Sequence, residues 1–169
     1  QGLPAAIPSA LSVAGLGVSV FVGVCAWSRR PAGLLASLLL AFVLGTVLVH
    51  GLKYGLRWPR PLAVLTPGEV HHIGLHVTGR ATPSGHATSA FALWALLVGN
   101  VPGAWVVRIG AGLFAVGVAW ARMAVGAHWP GDVLVGAGLG LWVGIAALAL
   151  ARHWRLARRW DRPAPRMLL

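Results

Sequence analysis

Acidic side chains are nearly absent from this chain: three in 169 residues, against fourteen Lys and Arg. Cysteine and tyrosine occur once each. The single thiol, Cys25, lies within an apolar run, so an intrachain disulfide is excluded and no redox compartment can be read from it. Charged residues make up 10% of the sequence, where a soluble domain carries about 25%; a water-facing globular surface is therefore excluded. The shortage of acids leaves a formal net charge of +11. A nucleic-acid-binding domain would gather such charge into one stripe or patch. Here it falls into groups at the ends of apolar runs, which membrane topology explains, so no nucleic-acid partner is expected.

Long apolar runs take the place of charge; 57% of the residues are hydrophobic. A helix needs about 20 apolar residues to cross a bilayer, and five runs qualify, at roughly 5–27, 32–54, 84–100, 104–125 and 131–151. Prolines mark their boundaries: Pro31, Pro59 with Pro61, Pro83, Pro102 and Pro130. Proline in a first helical turn loses no hydrogen bond, because that N–H has no intrahelical partner. The third run is the shortest. The expected fold is all-α, a polytopic membrane bundle of about five transmembrane helices in one domain over 1–169, with no linker. Loop 59–83 joins the second and third runs, and a basic tail at 152–169 follows the fifth. The first run ends in Trp27-Ser28-Arg29-Arg30, the reverse of the charge order in a cleaved signal peptide, and reads as a mature helix.

Five crossings place the termini on opposite sides. Arg29, Arg30, Arg108 and the six arginines of the tail (Arg152, Arg155, Arg158, Arg159, Arg162 and Arg166) then share one side, which the positive-inside rule makes cytoplasmic. Lys53, Arg57, Arg60, Arg80 and Arg122 share the other. The expected orientation is N-out/C-in. Trp27, Trp58, Trp105, Trp129 and Trp154 stand at run ends as interfacial anchors, and the tail is expected to rest on anionic headgroups. Gly136, Gly140 and Gly144, at four-residue spacing, permit close helix approach; packing within the bundle is the preferred reading over a dimer contact.

Three groups of polar residues sit at the outer ends of these runs, where ionisable side chains are costly and call for a function. The first is Lys53, with Arg57, Arg60 and Pro61. Three basic residues at a helix end are usually snorkelling anchors, and this group alone does not decide. The second is Thr82-Pro83-Ser84-Gly85-His86. With Thr82 as N-cap and Pro83 as first helical residue, the N–H groups of Ser84 and Gly85 would be free to bind an anion; a loop turn is the competing reading. The third is Arg122, His128 and Asp132. A carboxylate near an imidazole fixes its tautomer and raises its nucleophilicity, while a capping Asp beside a packed His is the equal alternative.

Taken in order, Lys-x6-Arg-Pro, Pro-Ser-Gly-His and Arg-x5-His-x3-Asp resemble the type-2 phosphatidic acid phosphatase superfamily of membrane lipid phosphatases. The likeness spans residues 53 to 132. It departs at Ala121, where the third motif usually has Ser, and in the count of five helices where members often have six. The resemblance implies His128 as the nucleophile that becomes a phosphohistidine, Asp132 as its orienting partner, and His86 as acid and then base. Lys53, Arg60, Arg122 and the N–H groups of Ser84 and Gly85 would hold the phosphoryl oxygens, with no metal and no cofactor required. Glu69, His71, His72 and His76 read as a polar loop rather than a zinc site.

The implied substrate is a lipid phosphate in the bilayer: undecaprenyl diphosphate, phosphatidylglycerophosphate, phosphatidic acid or a similar lipid. The alternatives are a lipid phosphotransferase or lipid A phosphatase using the same residues, and a non-catalytic lipid-binding membrane protein. The Ala-, Gly- and Arg-rich composition suggests a bacterial cytoplasmic membrane, with the site on the periplasmic or exterior side. The oligomeric state is not legible in the sequence.

Overall fold

A computed structural model describes residues 31–66, 79–101 and 105–153. Its helices are α1 (Pro31–Leu56), α2 (Pro61–Val64), α3 (Gly85–Asn100), α4 (Trp105–Ala124) and α5 (Pro130–His153). Four of the five apolar runs thus appear as helices with ends close to those expected. The run at 5–27, Cys25, residues 67–78 with Glu69 and the three histidines, and the tail from residue 154 lie outside the described residues.

The four-residue α2 was not expected. Pro61 opens it, and the Leu65 N–H closes it on the Pro61 carbonyl at 2.8 Å. A second difference concerns α3. Helices α1, α4 and α5 are long and apolar enough to cross a membrane. With 16 residues, α3 reaches only about 24 Å at 1.5 Å per residue. The shortfall has a local cause: α3 begins not at a surface but behind a buried entry segment, Ala81 to Ser84.

Among the described elements, α3 is the hub. It touches α1, α4 and α5, and its most extensive partner is α5; α1 and α4 do not meet. Its buried side is built from Ala87, Ala90, Ala92 and Ala95 with Leu96 and Leu97. Small residues let backbones approach without side-chain layers between them. The glycine row of α5 completes the seam. A methyl at Gly136 would stand 2.7 Å from the Ser84 carbonyl, and one at Gly144 would stand 2.6 Å from Ala95 Cβ; at Gly140 it would run into the Thr88 carbonyl. The row is therefore a packing surface within the bundle, as preferred from its spacing.

The core continues along the seam. Ala41, Ala92, Leu96, Val143, Ala147 and Leu148 form one cluster. A smaller one, Ala87, Ala119 and Val133, lies near the entry to α3. At the other end, α3 is capped by cations: Arg108 donates to the Val101 carbonyl through Nε (3.1 Å) and Nη2 (3.0 Å), and Arg152 donates to the Gly99 carbonyl (3.0 Å). Positive groups there satisfy orphan carbonyls and complement the negative end of the helix dipole. Outward faces carry Phe42, Val47, Val106, Leu113, Trp120 and Leu134, all exposed. An apolar exterior of this extent suits lipid rather than water.

The seam makes a steric prediction. Gly140→Ala is expected to lower stability by about 1–3 kcal/mol, the usual cost of overpacking. Gly138, around which nothing lies within 4 Å, tolerates the same change. Thermal unfolding of the two detergent-solubilised variants checks this; equal midpoints would contradict it.

Candidate active site

The polar constellation assembles where α1 ends, α3 begins, and α4 turns into α5. Lys53 stands in the last turn of α1 and Arg122 in the last turn of α4. Both are half-buried. The chain leaves α1 through Arg57, a left-handed residue (φ 48°). It then passes Trp58 and Pro59 in an extended stretch that pairs with the entry to α3. The Ala81 N–H donates to the Trp58 carbonyl at 2.8 Å, and Pro59 bridges Arg80. Arg60 follows, between Pro59 and Pro61, in extended backbone (φ −76°, ψ 159°) just before α2. Its Nη1 donates to the Ala127 carbonyl at 3.2 Å, and its buried Nε has no partner among the described residues.

The turn after α4 is a compact reversal. Gly126 takes a left-handed φ of 68°, a conformation that costs glycine little. The N–H groups of Ala127 and His128 then both return to the Arg122 carbonyl, at 3.1 and 3.2 Å. One residue thus supplies a guanidinium to the site through its side chain and an anchor for His128 through its backbone. The Trp129 indole donates to the Pro59 carbonyl at 3.0 Å, which ties this turn to the Arg60 segment.

His128 is 4% exposed and Asp132 1%. Their Nδ1 and Oδ2 atoms are 3.6 Å apart, longer than a hydrogen bond. Asp132 also accepts from the Trp129 N–H at 2.8 Å, closing the first turn of α5, and from the Thr82 hydroxyl. It caps its helix in the manner of a capping box, and it faces the imidazole. Burial, with Arg60 close by, pulls His128 down from 6.5 to about 4, and Asp132 offsets only part of that.

The entry to α3 differs from expectation in two respects. The cap is Ser84 rather than Thr82, and Pro83 precedes the helix. The Ser84 N–H is already spent on the Asp132 carbonyl at 3.0 Å, so it cannot also hold an anion. Instead, the first-turn N–H groups from Gly85 onward precede the first helical bond, Thr88 N–H to Ser84 carbonyl at 3.0 Å. The Ser84 hydroxyl is fully buried and unpartnered among the described residues. His86 is exposed and lies within the electrostatic reach of Arg122, Lys53 and Arg60. Arg60 and Lys53 reach His128 as well, where Asp132 acts against them. All eight residues singled out from the sequence are thus brought to one end of the bundle, and both imidazoles share the field of Lys53 and Arg60.

Residues 34–160 match the family model of the PAP2 superfamily. The chain belongs to this superfamily. Among PAP2-related proteins, it is 32% identical over 124 residues to an undecaprenyl-diphosphatase of Sulfolobus acidocaldarius, an alignment covering 72% of this chain and 57% of that relative. Two solved structures share the fold. LpxE of Aquifex aeolicus superposes with a TM-score of 0.62 at 33% identity, over 69% of this chain and 67% of the other. A transmembrane PAP2-type phosphatidylglycerolphosphate phosphatase of Bacillus subtilis gives 0.61 at 28% identity, over 82% and 68%. The chain spans little more than half the length of the Sulfolobus protein.

Three parts of this PAP2 site were not legible in the motifs: the Thr82 hydroxyl, the Trp129 N–H and the Ala127 carbonyl. Thr82 was readable only as a cap, because its partner lies 50 residues away.

The His128 environment predicts an acid-labile fold. A histidine held near 4 when folded and near 6.5 when unfolded makes the unfolded chain take up the proton first. Its contribution is intact above about pH 6.5 and declines by up to about 3 kcal/mol as pH falls toward 4. Unfolding midpoints between pH 7 and 4.5 should fall more steeply for the natural chain than for His128→Gln; parallel curves would exclude this origin.

Proposed function

We propose that the chain is a membrane lipid phosphatase that hydrolyses a phosphomonoester or diphosphate of a membrane lipid through a phosphohistidine at His128. The observation that carries the reading is uncompensated charge. Three half-buried cations stand at the same end of the bundle as a buried imidazole, and among the described residues no Lys or Arg pairs with a carboxylate; the carboxylate there, Asp132, faces the His128 imidazole instead. Burying cations without counter-charge is costly, and a bound phosphoryl group removes that cost.

Each residue then has a role. The Nδ1 of His128 faces Asp132, which leaves Nε2 as the attacking atom. Its lone pair forms the N–P bond as the bond from phosphorus to the lipid oxygen breaks. Protonated His86 delivers its proton to that departing oxygen, help worth about 10²–10⁴-fold. Water then attacks the phosphoenzyme, His86 takes the water proton, and the N–P bond breaks to release inorganic phosphate. Asp132 balances the charge on the phosphorylated imidazole. Lys53, Arg60 and Arg122, with the Gly85 N–H and the Ser84 hydroxyl, hold the equatorial oxygens as charge spreads onto them. Arginine suits this work because its planar fork contacts two oxygens at once. The residues assign no step to a metal.

A substrate in the bilayer fits a site at the end of apolar helices. The relatives named for undecaprenyl diphosphate and phosphatidylglycerolphosphate support a lipid phosphate as the class. The basic-residue count supports a cytoplasmic membrane with the site on the outer side, N-terminus out and C-terminus in, over a single domain.

A phosphate-release panel over lipid monophosphates and diphosphates tests the proposal. Inorganic phosphate is expected from a single purified lipid, and His128→Ala is expected to lose about 10³-fold or more in kcat. Release unchanged in that variant would sink the nucleophile, and release only after adding a second lipid would mean transfer rather than hydrolysis.

A second expectation concerns Gly85. A Cβ there would meet only Val49 Cγ1, at an ordinary 3.7 Å, so protein packing does not require glycine. Gly85→Ala should unfold at the natural midpoint yet weaken inhibition by vanadate about tenfold, the effect of roughly 1.4 kcal/mol of lost binding. Unaltered inhibition would show that the ligand does not approach this backbone.

A further inference from the structure

We infer that Thr82 is a positioning residue for the phosphohistidine chemistry, acting on His128 through Asp132; the inference rests on the function proposed above. Three observations carry it. Thr82 is buried, 5% exposed. Its hydroxyl donates to Oδ1 of Asp132 from across 50 residues of sequence. The other carboxylate oxygen, Oδ2, is the one that accepts from the Trp129 N–H at 2.8 Å and faces His128 Nδ1 at 3.6 Å.

The two oxygens of Asp132 are thereby given different work. A carboxylate is an acceptor only, with about four lone-pair sites. With Thr82 holding Oδ1, rotation about the carboxylate's own bond is blocked, and Oδ2 stays turned to the imidazole. An Oδ2 so held turns its negative charge toward Nδ1 across 3.6 Å, which favours the tautomer with the proton on Nδ1 and a lone pair on Nε2. Without the hydroxyl, Oδ1 is a buried acceptor with no partner, a costly state. The carboxylate would relieve it by turning away, and that change releases the imidazole. The charged and titratable groups facing Asp132 are His128 from the turn after α4, Lys53 from α1 and Arg60 from the segment before α2. None of them donates a hydrogen bond to the carboxylate, whose donors among the described residues are the Thr82 hydroxyl and the Trp129 N–H.

The backbone shares in the arrangement. The Ser84 N–H donates to the Asp132 carbonyl at 3.0 Å, so Asp132 holds the segment Thr82–Ser84 at two points. The contribution of Thr82 differs from simple anchoring because the Ser84 bond survives its loss.

The experiment is a comparison of Thr82→Val, Thr82→Ser, Asp132→Asn and the Thr82→Val/Asp132→Asn double variant, as full-length protein in detergent with a lipid phosphate. Thr82→Val is expected to lower kcat about tenfold to a hundredfold, as loss of a partner to a primary group usually does. KM and inhibition by vanadate should stay within about threefold, because the cations and the α3 N–H groups remain. Thr82→Ser should recover most of the loss, and Thr82→Val should cost little more once Asp132 is Asn. If the Val variant does not fold, Thr82→Cys takes its place, with a weak donor of similar size and a smaller loss in the same directions.

Natural kcat in Thr82→Val would overturn the inference, as would equal impairment of the Val and Ser variants or full additivity with Asp132→Asn. The proposed function stands or falls separately: it fails if His128→Ala keeps its activity, whatever Thr82 does.

Discussion

Asp132 is the contact on which the polar end of this molecule turns. Its carboxylate takes one donor from the entry to α3 and one from the residue before its own helix, and it faces the buried imidazole of His128. Its backbone carbonyl takes a third donor, the Ser84 N–H. A single acid in an apolar bundle would be costly if left alone. Here it is satisfied from two separate segments, and that satisfaction brings the segments into register. The surrounding cations have no comparable partner, so the acid organises the site without neutralising it.

The arrangement depends on how closely α3 and α5 approach. Alanines on one helix meet glycines on the other, and Gly136 admits the Ser84 carbonyl at a distance a side chain would forbid. The hydrogen bond between Ser84 and Asp132 is a consequence of that approach. The same economy of side chains leaves α3 short and buried. Its last carbonyls are completed by Arg108 and Arg152, and its first turn faces the cations. A helix with cationic partners near both ends departs from the usual dipole rule, and the departure falls at the end that carries the proposed site.

Much of this was legible in the sequence, for identifiable reasons. The helices follow from apolar runs bounded by proline, and Lys53, Arg60, His86, Arg122, His128 and Asp132 stand out because charge at the ends of such runs is rare. The intramolecular role of Gly136, Gly140 and Gly144 follows from their spacing, though not the identity of the helix they meet. Sequence reasoning failed where a contact joined distant segments. Thr82 looks like a cap because Ser and Thr before a helix usually are caps; its true acceptor arrives only with the tertiary fold. The Ser84 N–H looked free because nothing local competes for it. Trp129 was readable as an interfacial anchor, and its indole bond to Pro59 joins two turns that are 70 residues apart.

The unpaired cations bear on the end of the catalytic cycle as well as its start. On the proposed chemistry, the lipid departs with its share of the binding energy once its oxygen is protonated. The orthophosphate left behind is smaller, more highly charged, and held by every group that gripped the ester. Escape of the inorganic product would then be the uphill part of turnover, and the concentration of phosphate on the side to which the pocket opens would govern how often it is empty.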